Sequence, residues 1–107
     1  MASSKPLIGI STNEITNFNG RQVSHSTGLR YVDAVKKFTN GIPILIPSYI
    51  NNEDLDQLLS KIDGLVLTGG RANIEPHHFG GEPFPPDEPI DVGRDDIVLK
   101  MIPKCVY

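Results

Sequence analysis

"GIPILIPSYINNEDLDQLLSKIDGLVLTGG", Gly41 to Gly70, holds two short apolar runs separated by an amphipathic stretch. Ile42 to Pro47 and Gly64 to Leu67 are continuous in apolar character rather than alternating, the pattern of strands buried on both faces. Between them, Asn51 or Asn52 is placed to cap a helix whose Glu53 and Asp54 suit the positive end of its dipole. Leu55, Leu58, Leu59 and Ile62 give that helix one apolar face. Strand, helix, strand in this order predicts two parallel strands joined by a right-handed crossover.

The flanking sequence extends the same rhythm. "PLIGIS", Pro6 to Ser11, reads as another buried strand, and the polar, turn-rich "TNEITNFNGRQVS" after it reads as a loop. Ser26 or Thr27 can then cap a helix with Leu29, Val32, Val35 and Phe38 as its stripe, and Gly41 suits a left-handed stop. Downstream, "GRDDIVLKMIPKCVY" puts Ile97, Val98, Met101 and Ile102 on one helical face, with Arg94, Asp95 and Asp96 marking the helix start. Pro103 removes a donor and crowds the turn before it, at about 3 kcal/mol inside a helix, so a kink or stop is expected near Ile102. The fold expected is α/β: an open, mostly parallel, flavodoxin-like sheet with flanking helices. At 107 residues the chain is one unit rather than two.

Composition narrows the partners. Ten Lys and Arg against thirteen Asp and Glu give a formal charge of −3, with both signs scattered. Nucleic-acid binding needs a basic stripe, and none is present. The apolar run Ile42 to Ile46 is broken by Pro43 and is too short to span a bilayer. "MASSKP" lacks the apolar stretch of a signal peptide. A single cysteine, Cys105, cannot form an internal disulfide, so a cytoplasmic protein is expected.

An open α/β sheet binds its ligands at the carboxyl ends of its strands. Three loops fall there: Asn13 to His25, Pro47 to Asn51, and Thr68 to Gly93. Gly69 and Gly70 stand where the last strand ends. Such a pair is either a tight turn or a place where bare backbone N–H groups face a developing oxyanion. Neither GxGxxG nor GxxxxGK[ST] is present, so a phosphate cradle and a flavodoxin-like nucleotide module are the weaker readings.

Taken together, "PLIGIS", "YVDAVKKFTNGIPILIP", "DGLVLTGG", "NIEPHHFG" and "DVGRDDIVLKMI" resemble the γ-glutamyl-γ-aminobutyrate hydrolase branch of the class I glutamine amidotransferase-like family (peptidase C26-like). The likeness runs over essentially the whole chain. It implies hydrolysis of a γ-glutamyl amide by a cysteine on a sharp strand-to-helix turn, with a downstream histidine as base and a carboxylate to orient it. It implies that Gly69 and Gly70 are half of the oxyanion hole, Gly70 giving the N–H. Arg71, Asn73 and His77 would face a small γ-glutamyl substrate, and no cofactor is implied.

The chain departs from this pattern in one respect. The fourth strand and its nucleophile turn would begin after Tyr107, so the chain is expected to be the amino-terminal part of the domain and inactive alone. Cys105 lies in "PKCVY" without flanking glycines, and its expected role is that of a small buried hydrophobe. His77 and His78, with Glu75 and Glu82 near in sequence, leave three readings: a metal site, a substrate-facing loop, or plain solvated loop. Adjacent histidines without a further Cys or His pair do not complete a shell, so no metal is expected. Two classes of function stay open, a hydrolase whose catalytic residues lie elsewhere and a non-catalytic remnant or interaction module. In the strand order 2-1-3-4-5, the strand Gly64 to Leu67 keeps an unpaired edge, and Ile97, Val98 and Met101 stay only partly covered. Self-association into a homo-oligomer or pairing with a companion chain is expected to follow.

Overall fold

The computed structural model describes residues 4–106. Three parallel strands form the central sheet: β1 (Leu7–Ser11), β4 (Ile42–Ile46) and β5 (Gly64–Val66), in the order β4-β1-β5. Leu7 sits opposite Ile42 on one side, and Ile8 sits opposite Gly64 on the other. This is the parallel α/β architecture expected from the three apolar runs.

Alternate residues of β1 face opposite layers, as the two-residue period of a strand requires. Ile8 and Ile10 pack with Val35 of α1 (Leu29–Thr39), joined by Tyr31, Val32 and Val66. On the other face, Ile46 and Leu55 of α2 (Asn52–Leu59) pack with Ile97, Val98 and Met101 of α3 (Val92–Val106). The expectation that these three α3 residues would be only partly covered is corrected. All are buried, because α2 lies across them.

Helix ends follow local chemistry with some corrections. Asn51 caps α2, its Oδ1 accepting from Asp54 N–H at 2.8 Å. Helix α1 starts at an N-cap of Gly28 with no side-chain bond, one residue after Thr27 and two after Ser26. Its left-handed stop is Asn40 (φ 53°) rather than Gly41, and Asn is the other residue that tolerates that conformation. Leu29 lies about 120° around the helix from Val35 at 100° per residue, and it stands in solvent, as does Phe38. Helix α3 runs through Pro103 instead of stopping at Ile102. The proline sits in the last, exposed turns, where its missing N–H leaves free only a carbonyl on half-buried Leu99.

The largest correction concerns the first loop. It is a hairpin of β2 (Asn13–Asn17) and β3 (Gln22–Ser26), antiparallel, with Asn13 opposite Ser26. Asn19 (φ 54°) and Gly20 (φ 84°) hold the centre of its turn, and Arg21 N–H closes onto Phe18 O at 3.2 Å. Positive φ at both central residues is what a type I′ hairpin turn demands. Among the described residues no helix is long and apolar enough to cross a membrane.

Candidate functional site

The carboxyl ends of β1, β4 and β5 converge with the start of α3. Thr12 Oγ1 donates to Ile46 O at 2.8 Å, tying the end of β1 to that of β4. Thr68 N–H donates to Ser11 Oγ at 2.9 Å, tying β1 to the residues after β5. Asp91 then anchors α3. Its Oδ1 accepts from Arg94 N–H at 2.9 Å as a helix cap, and its Oδ2 accepts from Glu14 N–H at 3.0 Å. One carboxylate thus joins the hairpin to the last helix, and it marks the helix start earlier than the expected Arg94-Asp95-Asp96.

The glycine pair is held from two sides. Asn13 Nδ2 donates to Gly69 O at 3.3 Å, and Arg94 donates through Nη2 to Ala72 O and through Nη1 to Asn13 Oδ1 at 3.3 Å. Arg94 is 7% exposed and has no carboxylate partner among the described residues. A Cβ at position 70 would lie 2.5 Å from Arg94 Nη1 and 2.9 Å from Asn13 Oδ1, so any other residue there has to displace the Arg94 and Asn13 side chains. At position 69 the nearest atom would be Tyr31 Oη at 3.7 Å, ordinary contact. The sequence reading missed Asn13 and gave Arg94 only a structural role. One signal was available: a cation in the first turn of a helix opposes the dipole, and so points to another task.

The expected substrate-facing residues separate. Gly69, Gly70 and Asn73 line a cavity of about 250 Å³ together with Arg94 and Asp95. Arg71 lines a neighbouring cavity of about 400 Å³ beside Glu14 and Asp91. His77 lines a third, with Phe84 and Ile90. Cys105 is exposed rather than buried, because it follows Met101 into the outer turns of α3. It lines a cavity with Gly64 at the start of β5, away from the strand end that carries the glycine pair. His25 Nε2 lies 3.7 Å from Glu14 Oε1, on the hairpin.

Tyr49 stands in the β4–α2 loop with φ 63°, a conformation bulky residues rarely adopt. Its phenol is raised above the ordinary 10.0 by desolvation first, then by the nearby carboxylate of Glu14 and the negative charges of Asp91 and Asp96. A raised folded value favours the protonated form. Its contribution to stability is therefore complete below the unfolded value and fades as pH rises through the folded one. In an ultraviolet phenolate titration, one tyrosine is expected to ionise later than the rest, and Tyr49→Phe should remove that late step. A late step that persists in the variant would place the shifted phenol elsewhere.

Comparison with known proteins adds to this geometry. A family model described as Peptidase C26 matches residues 6–107. Gamma-glutamyl-gamma-aminobutyrate hydrolase PuuD of Escherichia coli (strain K12) is 35% identical over 74 residues, 68% of this chain and 28% of that protein. The gamma-glutamyl-gamma-aminobutyrate hydrolase of Shigella sonnei (strain Ss046) matches to the same extent. That of Shigella flexneri is 34% identical over 74 residues, again 68% of this chain and 28% of the relative. The matched stretch thus spans 28% of the length of these curated relatives.

Proposed function

Because this chain belongs to the peptidase C26 family, we propose that it supplies the oxyanion-binding side of a site that hydrolyses γ-glutamyl amide bonds. The observation that carries this reading is Gly70. It follows β5 at the ligand-binding edge of the sheet, lines a cavity, and sits where a side chain would press on Arg94 and Asn13. Backbone held this rigidly costs no reorganisation when charge develops on a carbonyl oxygen. The names of the relatives support γ-glutamyl-γ-aminobutyrate as the substrate to try first.

In this reading a cysteine thiolate attacks the γ-carbonyl carbon, and the oxygen turns into an oxyanion that accepts from Gly70 N–H. The tetrahedral adduct collapses to a thioester, the amine leaves with a proton, and water then releases glutamate. Arg71 and Asn73, exposed in the cavities that Gly70 also lines, contact the glutamyl part. Cys105 is not the nucleophile. The cysteine, its base and its orienting carboxylate belong to the family's pattern after the third strand-helix unit. The outer edge of β5 is unpaired among the described residues and is open to a further strand.

The complete protein is expected to release glutamate from γ-glutamyl-γ-aminobutyrate and to spare α-glutamyl amides. A polypeptide of these 107 residues alone is expected to release none, since amide hydrolysis needs an activated nucleophile. Activity in that polypeptide, abolished by Cys105→Ala, would overturn the placement of Cys105. A folded complete protein inert on every γ-glutamyl amide tried would favour the non-catalytic interaction module.

A further inference from the structure

Beyond the glycine pair, the long loop after β5 brings three metal-ligating side chains together. Glu75, His77 and His78 each offer one ligand atom, and these atoms all lie within 4.8 Å of one another. Adjacent histidines on a strand would point to opposite faces. Here Pro76–His78 forms a single 3-10 turn, and the two imidazoles lie side by side, centroids 4.0 Å apart and planes 37° from parallel. The turn is firm: His78 N–H donates to Glu75 O at 3.2 Å, and Phe79 and Gly81 both donate to Pro76 O at 3.0 Å. Pro76 itself is buried.

A second, independent feature lies directly behind this trio. Asp95, on the first turn of α3, is 1% exposed, and its Oδ1 has no hydrogen-bond partner among the described residues. Its Oδ2 accepts from Glu75 N–H at 3.0 Å and lies 3.9 Å from His78 Nε2. The neighbouring Arg94 is turned away, toward Ala72 and Asn13. A buried carboxylate with an unsatisfied oxygen and no fixed cation is costly unless positive charge stands near it. Carboxylate behind histidine is also the arrangement that orients metal-bound imidazoles, by accepting the proton of the ring nitrogen that does not bind the ion.

We propose that Glu75, His77 and His78 form a site for a divalent transition metal, with Asp95 as the carboxylate that orients His78 and offsets the charge of the ion. Two imidazoles and one carboxylate select zinc-like ions over calcium or magnesium. Three protein ligands leave a fourth, open position in a tetrahedral zinc shell. Ligand atoms in such a shell stand about 3.4 Å apart, given metal–ligand distances of about 2.0–2.1 Å. The present separations, all within 4.8 Å, are wider than that, and exposed His77 and His78 have solvent space in which to close them on the ion. Ion binding would fasten the loop that follows Gly70 to the start of α3, through His78 and Asp95. It acts on the loop of the proposed hydrolase site, yet its existence does not depend on that activity.

Calorimetric titration of chelator-treated, untagged protein with zinc chloride tests this. One ion is expected to bind per chain, with calcium chloride giving no saturable heat. His77→Ala and His78→Ala should each weaken zinc binding by at least about tenfold, and Asp95→Asn by about 10- to 100-fold. His25→Ala, on the hairpin beside Glu14, should leave the affinity unchanged. Absence of saturable zinc binding would overturn the proposal. So would an undiminished affinity in the His77→Ala/His78→Ala double variant, whose exposed positions make it the deciding test if Asp95→Asn fails to fold.

Discussion

Gly70→Pro in the complete enzyme is expected to lower turnover of a γ-glutamyl amide by about 100- to 1000-fold, the usual loss when one oxyanion donor is removed. Proline takes away the N–H and brings the same Cβ crowding that alanine would, so the part of the loss due to the donor is read as the difference between the two variants. An oxyanion exists in the transition state and not in the bound substrate. The loss should therefore fall equally on kcat and kcat/KM, with KM little changed. Two companion variants separate the donor from the crowding around it. Gly70→Ala keeps the N–H but drives a Cβ to 2.5 Å from Arg94 Nη1, so it should cost stability and a smaller part of the rate. Gly69→Ala meets nothing closer than 3.7 Å and should be tolerated. Steady-state kinetics on folded variants decides the matter. Unchanged turnover in Gly70→Pro would reduce the glycine pair to a turn.

The parts of the fold that the sequence announces are those whose burial is two-sided or whose chemistry is local. Three apolar runs named the parallel strands, although only the central β1 is well buried and β4 and β5, at the edges of the sheet, are covered in part. Asn51 named the start of α2 because its cap reaches only three residues ahead. The hairpin was read as a loop because each strand carries a single large apolar residue, Ile15 and Val23, both exposed, so no two-residue apolar period exists. Its one local signal was Asn19-Gly20, the dipeptide that favours a type I′ turn. The glycine pair was legible as bare backbone at a strand end. What holds it was not legible, since Asn13 and Arg94 are 81 residues apart and meet only through the sheet. The metal reading of Glu75, His77 and His78 is the weaker one from sequence for a related reason. Spacing alone does not reveal that a 3-10 turn sets two adjacent imidazoles side by side.

Arg94 carries the second large effect. Its guanidinium is nearly buried, is not neutralised by a carboxylate among the described residues, and sits at the unfavourable end of a helix dipole. A cation so placed is retained for what its fork holds, and here the fork holds Ala72 O and Asn13 Oδ1. Arg94→Ala leaves both acceptors without that donor. Ala72 is buried and Asn13 only half-buried, and an unsatisfied buried group costs about 1–3 kcal/mol, so the variant should lose about 1–3 kcal/mol of stability in urea unfolding. Arg94→Lys keeps the charge but is a single point rather than a fork, and should recover only part of that loss. A purely structural arginine would change stability and leave the rate of the folded fraction alone. An arginine that positions the Gly69–Ala72 backbone should also lower kcat, with KM nearly constant, because the oxyanion donor is then no longer fixed before the reaction. Stability within about 0.5 kcal/mol of the parent, the ordinary scatter of surface changes, would mean that the fork is idle.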